Sequence, residues 1–444
     1  VDNSFSDEST LHRENDYMTY GGINRAVSLE FLQEAYIKYI HVTPSKKDDV
    51  WTANVSVAVE NISDSDEDMT VSFVLDGKEY FFDSAKMAKK SVTTINADFT
   101  FENVNEWSMD EPNLYLIQAF LEIDEEVIDD LIERIGFRQV TLDGNKILIN
   151  GKQIRIKGFN RHEDHPHFGC SLPYAAMVKD IEIIKDLNAN SVRTSHYPND
   201  EIFLDLCDEF GILVWEEHHA RGFEEDVMRL PNFDKQCCDC IEEMIEQHYN
   251  HPAIYIWGIL NECASHTEFG ASCYKKQLEL IESLDKSRPT TFASNKRYTD
   301  ICFEYPTVIS NNMYPFWYFD VPLEEILRKS IDYANQNSEK LKPFIVSEIG
   351  CGGIYGSRSR TREKWTEEGQ LDILEKQIVP ILEHDECIGV YIWQFCDVRV
   401  TPEWAMKRPR SYNNKGIVDE FRREKLAYDM VKRVFGSYSN YLDD

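Results

Sequence analysis

Two patterns of apolar and polar positions divide the chain. From about residue 36 to 140, apolar and polar residues alternate in short runs, at 36–42, 51–59, 69–75, 91–99 and 114–121, broken by acidic, Asn or Gly turns at roughly ten-residue spacing. Period-two alternation over short, evenly spaced segments predicts an immunoglobulin-like β-sandwich over 36–140. No cysteine precedes Cys170, so the sandwich is not a disulfide-bridged one, and its expected role is that of a structural spacer. Beyond residue 140 the apolar runs become continuous and alternate with helical stretches. Strands are expected near 154–160, 190–194, 212–216, 253–260, 290–294, 307–314, 343–348 and 388–395, with helices such as 174–187, 233–248, 323–335 and 365–382 between them. Strands buried on both faces and alternating with helices imply parallel βα units. About eight of them over 141–444 predict a (β/α)₈ barrel. Residues 1–35 begin polar and end in a Gly21-Gly22 turn feeding an alternating run to Phe31, the pattern of a closing strand of a β domain. The chain has no initial Met, so it reads as starting inside a longer protein.

The runs 254–262 and 343–350 end in the same way. Ile-Tyr-Ile-Trp-Gly-Ile-Leu stops at Asn261 and Glu262, and Pro-Phe-Ile-Val-Ser stops at Glu348. The C-terminal ends of barrel strands are where catalytic groups sit, and two carboxylates there suit glycoside hydrolysis. One protonates the departing oxygen and the other attacks or activates water. The acid is expected to be the carboxyl whose pKa is raised. Carboxyl groups about 5–5.5 Å apart would give retention, and about 6.5–9.5 Å inversion.

Polar residues crowd the other strand ends too: Asn160 through His165, Arg193 through Pro198, Glu216 through His219, Asn311 through Tyr314, and Trp393-Gln394. Arg161 with Glu163 and Arg193 with Glu217 are expected to compensate one another inside the mouth. His162, His165 and His167, or His218 and His219, raise a metal site as the competing reading. Neither set has i, i+4 helical spacing, and adjacent histidines on a strand point to opposite faces. Cys237, Cys238 and Cys240 lack a second pair at ligand spacing and read as small thiols on a helix.

Composition narrows the field further. A net charge of −32 excludes a nucleic-acid backbone or an anionic membrane as a natural partner, and makes any anionic substrate dependent on a local cation. No apolar run is long enough to span a bilayer, and no signal-peptide pattern opens the chain. Eleven cysteines, an odd number in mostly apolar surroundings, favour free thiols and the cytoplasm.

The stretches Gly-Phe-Asn-Arg-His-Glu-Asp (158–164), Arg-Thr-Ser-His-Tyr-Pro (193–198), Trp-Gly-Ile-Leu-Asn-Glu (257–262) and Ser-Glu-Ile-Gly (347–350) together resemble glycoside hydrolase family 2. The resemblance implies a jelly-roll sugar-binding domain, a sandwich and a barrel, with residues 1–35 as the remnant of the first and most of it absent. It implies Glu262 as acid/base, Glu348 as nucleophile, retention of configuration, and Asn261 on the sugar 2-hydroxyl. Within the family the bacterial-type β-glucuronidases are most similar. Their pattern places Asp16, Asn312, Tyr314, Tyr318 and Trp393 in the sugar site, and gives the substrate carboxylate to Asn413 and Lys415 with Arg410 or Arg408 as a second cation. Arg161, His162, Arg193, His196 and Glu217 would support them. Met313 stands where the family has Arg, and Cys263 where many members have Pro.

The expectation is therefore a retaining exo-β-glycosidase without cofactor or metal. It would act on terminal β-D-glucuronides of small molecules or oligosaccharides, and the resemblance favours a homo-oligomer. Alternatives are a β-galactosidase or β-galacturonidase of the same family, or a carbohydrate-binding protein that has lost catalysis.

Overall fold

A computed structural model describes residues 4–442. They fall into two compact units, one of 26–139 with 246–252, the other of 4–25, 140–245 and 253–442.

The first unit is a sandwich of two antiparallel sheets. Its strands are β1 (Ala35–Lys47), β2 (Val50–Asn61), β3 (Glu67–Leu75), β4 (Lys78–Phe81), β5 (Ala85–Met87), β6 (Ser91–Phe101), β7 (Tyr115–Ile123) and β8 (Glu126–Ile135). One sheet runs β1-β2-β6, the other β4-β3-β7-β8 with β5 beside β3. The alternation seen in the sequence is the alternation of burial: Val55, Val57 and Val59 of β2 and Ile117, Ala119 and Leu121 of β7 point into one core with Phe73 and Phe137.

In the second unit a three-stranded meander, β9 (Val140–Asp143), β10 (Lys146–Ile149) and β11 (Lys152–Gln153), leads into a closed parallel barrel. The barrel strands are β12 (Ile156–Asn160), β13 (Ser191–Arg193), β14 (Leu213–Glu217), β15 (Ile254–Ile259), β16 (Thr290–Ser294), β17 (Ile309–Asn312), β18 (Phe344–Ile349) and β19 (Gly389–Ile392), hydrogen-bonded in sequence order. All their residues are buried, which is why strands such as β15 and β19 read as continuous apolar runs. Large side chains such as Trp215 and Trp257 are fully buried, each such burial contributing about 1.5–3 kcal/mol. A helix follows most strands, the longer ones being α1 (Tyr174–Asp186), α2 (Glu201–Phe210) and, after the short α3 (Glu225–Met228), α4 (Phe233–His248), α5 (Glu268–Leu284), α6 (Leu323–Gln336) and α7 (Glu367–Leu382). Past β19 come β20 (Val398–Arg399), α8 (Pro402–Ala405), β21 (Tyr412–Asn413) and α9 (Ala427–Gly436).

The glycine within the β15 run has a packing cause. A Cβ on Gly258 would lie 2.2 Å from the Trp215 indole nitrogen and 2.8 Å from Glu217 Cβ, so only glycine lets β14 present Glu217 beside β15.

Residues 4–34 contain no helix or strand among the described residues, and the strand expected over 20–31 is absent. A strand needs a neighbour to satisfy its amides, and among the described residues no strand pairs with this run. Instead, residues 15–25 interact with barrel residues through side chains, as in Tyr20 with Asp164 and Arg25 with Glu163.

Candidate active site

The strand tips converge on Arg193, which leaves β13 fully buried. Its guanidinium donates twice to Glu217, at 2.8 and 2.9 Å, once to Glu348 at 2.9 Å, once to the Asn160 side-chain oxygen at 3.0 Å and once to that of Asn261 at 2.9 Å. The Trp215 ring lies 4.7 Å below it. A buried guanidinium is tolerated only when its donors and charge are matched, and here two carboxylates do that. The expected Arg193 and Glu217 partnership is present. That between Arg161 and Glu163 is not: Arg161 pairs with Asp180 at 3.0 Å on α1, and Glu163 with Arg25 at 2.6 Å. Arg161 still acts on Glu163 through its charge, but both residues lie past the end of β12, where the loop and not the strand period sets each direct partner.

Glu348 is the penultimate residue of β18, buried, with one oxygen on Arg193 and the other accepting from the Tyr314 hydroxyl at 2.5 Å. Glu262 follows β15 through a left-handed backbone turn (φ 53°) and accepts from the Asn312 amide at 2.8 Å. Asn312 sits opposite Glu348 in the ladder between β17 and β18, and its oxygen accepts from Ser347 at 2.7 Å. It thereby ties the two carboxyl groups to one frame. The Asn261 oxygen accepts from both Arg193 and Asn312, leaving its amide nitrogen for a ligand.

Burial first, then the nearby charge of Glu262, pushes the Glu348 carboxyl up to about 7 against the pull of Arg193 and Tyr314. The raised carboxyl is thus that of Glu348, the group expected to attack. The charge of Glu262 is one of the two causes that raise Glu348, so the first carboxyl acts on the second across the site.

Both glutamates open onto a cavity of about 460 Å³, within the range of small-molecule sites. Asp16, Arg221, Arg297, Asn312, Tyr314, Tyr318, Trp393, Trp404, Arg408 and Lys415 line it with them. Burial alone would raise Asp16, but Arg221, Arg408 and Lys415 outweigh it and hold the carboxyl well below its usual range. Arg221 lies 3.0 Å and Arg408 2.8 Å from its oxygens, with the Asn413 amide at 3.4 Å. Lys415 donates to the Tyr318 hydroxyl at 3.1 Å and lies 5.6 Å from the Tyr314 ring centre. Trp393 lines the cavity while stacked on His196 at 5.1 Å, and His196 bonds Glu217 at 2.7 Å. His162 stacks on Tyr17. Burial lowers both imidazoles, so both are neutral.

The turn carrying Asn413 and Lys415 is held at almost every backbone group. Lys425, fully buried, donates to the carbonyls of Gly353 (2.6 Å) and Asn414 (3.3 Å) and pairs with Asp397 at 2.7 Å. Asp397 in turn accepts from the Gly416 amide, and Gln370 donates to the Gly416 carbonyl. A Cβ on Gly416 would fall 2.3 Å from the Asp397 nitrogen, which explains the glycine after Lys415.

Arg410 is the correction among the site residues. It pairs with Glu420 and does not line the cavity, because the chain turns through left-handed residues at 410 and 411. Arg408, the other cation considered, does line it. Arg221, Arg297 and Trp404 carry no signal in the sequence: the first two come from loops and the third from the single-turn α8, too short for a period to mark a side chain's direction. Cys263 is buried, its sulfur 3.5 Å from the Phe223 amide, and Met313 is buried as well.

Residues 35–138 match the family model described as glycosyl hydrolases family 2, and 140–439 that of the glycosyl hydrolases family 2 TIM barrel domain. The chain is similar to the β-glucuronidase of Rattus norvegicus, 29% identical over 439 residues, covering 96% of this chain and 65% of the relative. It thus spans less than two thirds of that relative's length. Among solved structures it is similar to a family 2 β-galacturonidase from Eisenbergiella tayi bound to glycerol, with 50% identity, a TM-score of 0.97, and coverage of 100% of this chain and 79% of that one. The same enzyme bound to galacturonate gives 51%, 0.96, and coverage of 99% and 79%. With both of its domains matched, the chain belongs to glycoside hydrolase family 2.

Proposed function

We propose that this chain is the catalytic part of a retaining exo-β-uronidase, which releases a terminal uronic acid from a β-glycoside. Glu348 attacks the anomeric carbon while Glu262 gives its proton to the leaving oxygen. Glu262 then takes a proton from the water that opens the glycosyl ester, releasing the sugar with retention. Asn261 meets the 2-hydroxyl, Tyr314 and Asn312 hold the two carboxylates, and Trp393 supplies an apolar wall.

The observation that carries the reading is Lys415. It is buried in the same cavity as both glutamates, and among the described residues its ammonium is in ion-pair contact with no carboxylate. A buried ammonium of this kind is matched by a ligand anion, and a uronate supplies one. The β-glucuronidases the chain resembles support a β-D-glucuronide. A β-D-galacturonide is favoured by a separate observation, the 50% identity over the whole chain to an enzyme described as a β-galacturonidase. The two sugars differ at one hydroxyl.

A panel of 4-nitrophenyl β-D-glucuronide, galacturonide and galactoside tests the reading, with Glu348→Gln as control. Lys415→Ala should severely slow the uronides and scarcely affect the galactoside. Equal loss on both classes would refute the carboxylate clamp, and no glutamate-dependent turnover would leave a carbohydrate-binding protein. Eleven free thiols support a reducing compartment, and no helix among the described residues is long and apolar enough to cross a membrane. Val27, Leu29 and Phe31, exposed by 77%, 81% and 92%, support an assembled state, which sedimentation would test.

A further inference from the structure

The cavity is lined by four cationic side chains in a chain of net charge −32. Asp16 pairs with both Arg221 and Arg408, one carboxylate shared between two guanidinium groups. Lys415 and Arg297 remain, neither in ion-pair contact with a carboxylate among the described residues. The uronate of the proposed function answers Lys415 and leaves Arg297 unexplained.

These two cations, neither in direct contact with a carboxylate, stand beside different halves of the catalytic pair. Lys415 is one residue from Glu348, by way of Tyr314: its ammonium lies 5.6 Å from the ring centre, and the hydroxyl of that ring bonds Glu348. Arg297 is one residue from Glu262, by way of Asn312. Its guanidinium donates to the Asn312 carbonyl at 3.2 Å, and the Asn312 amide holds Glu262 at 2.8 Å. In a retaining reaction the acid faces the departing oxygen, so a group flanking the acid faces the leaving group. Arg297 is also oriented in advance. It lies 5.1 Å from the Phe319 ring centre and 5.9 Å from that of Tyr298, and apart from the bond to Asn312 no donor of its fork is engaged; its Nε is buried without a partner. Asn295 and Tyr298, on the same loop, are exposed, as a rim open to a second sugar would be.

We propose that Arg297 binds a carboxylate on the leaving group, so that the preferred substrates are glycosides joining a terminal uronic acid to a second acid-bearing unit, such as another uronic acid. This rests on the uronidase reading and adds the chemistry of the aglycone. A dianionic substrate approaching so acidic a chain needs a local cation for each charge, and the cavity offers two.

The test uses a β-linked diuronic acid disaccharide with its second carboxyl free, and the same disaccharide with that carboxyl methyl-esterified. The wild-type chain should prefer the free acid. In Arg297→Gln the ratio of kcat/KM between free acid and ester should fall on the order of tenfold, the scale of one charge-assisted hydrogen bond. Arg297→Lys should keep a larger share of the ratio, and added salt should shrink it in the wild type. No preference in the wild type, or an equal loss on acid and ester in Arg297→Gln, would overturn the proposal and leave Arg297 as a brace for Asn312. The parent reading is judged separately, by 4-nitrophenyl uronide turnover in the wild type and its loss in Lys415→Ala.

Discussion

Arg193 bonds Glu348 at 2.9 Å with the same guanidinium that holds Glu217 by two hydrogen bonds. The attacking carboxylate is thus positioned by a cation that is itself fixed by a second, non-reacting carboxylate. Arg193 pulls the Glu348 titration down, so removing it must push that titration further up. In Arg193→Gln the acid limb of kcat/KM should move to higher pH, and the maximal rate should fall on the order of a hundredfold or more, as when a preorganised charge is lost. Glu217 would be left buried without its partner, costing about 3–5 kcal/mol of stability. A pH-rate profile and a thermal melt check both. An unmoved acid limb would show that Arg193 does not set the Glu348 titration.

A carboxyl raised to about 7 by burial and a neighbouring charge also leaves a mark on stability. The folded value exceeds the unfolded one near 4.5, so between those pH values the folded chain binds more protons. Stability from this group is fully present below about 4.5 and is lost as pH rises through about 7. Glu348→Gln has no charge to bury. It should melt above the wild type at pH 8, by the equivalent of a few kcal/mol, with the difference closing toward pH 4.5. Thermal melts of both proteins across that range check the sign. A variant less stable than wild type at pH 8 would contradict it.

What could be read from the residues alone follows from how strongly each is constrained. The strands β15 and β18 are apolar over most of their length and turn polar near the tip, so Asn261, Glu262 and Glu348 stand out as breaks in apolar runs. The sandwich was legible for the same reason, since half-buried strands alternate. Loop-borne groups carry no such period. Arg410 and Arg408 are two residues apart, and only the left-handed turn between them and Tyr412 decides that Arg408 reaches the cavity. The partner of Arg161 lies 19 residues on, in a helix packed behind the strand, a tertiary fact that no local pattern encodes.

Lys425 and Asp397 form an ion pair with both side chains fully buried. Burial drives Asp397 up to about 7 even with Lys425 pulling it down, so without the lysine it would take up a proton at neutral pH. Lys425 also holds the carbonyls of Gly353 and Asn414, next to Lys415. Lys425→Met should therefore loosen the turn that positions the uronate clamp. Raised KM on a 4-nitrophenyl uronide, with kcat less affected, is expected, together with about 3–5 kcal/mol of lost stability. Adding Asp397→Asn should restore part of the stability above neutral pH, where the lone carboxyl would otherwise have to ionise while buried, and change little below it, while the KM stays high. Equal damage to KM on uronide and galactoside would make Lys425 a purely structural residue.

The division of labour between the glutamates predicts how each loss depends on the leaving group. Expulsion of 4-nitrophenolate needs little help from an acid, whereas expulsion of a sugar alcohol needs a proton. In Glu262→Gln, kcat/KM for a 4-nitrophenyl uronide should stay close to wild type, and kcat/KM for a disaccharide should drop by about 10²–10⁴, the usual range for general acid catalysis. The second half-reaction needs Glu262 as base whatever the first leaving group was. On the nitrophenyl substrate kcat should therefore fall, and a burst of nitrophenol should mark accumulation of the glycosyl-enzyme. Glu348→Gln should instead abolish both substrates alike, because no ester forms. Rapid-mixing kinetics on the two variants separate these outcomes. If Glu262→Gln lost kcat/KM equally on both substrates, with no burst, Glu262 would not be the acid, and the role would pass to the other carboxyl, the one the fold already holds near neutral pH.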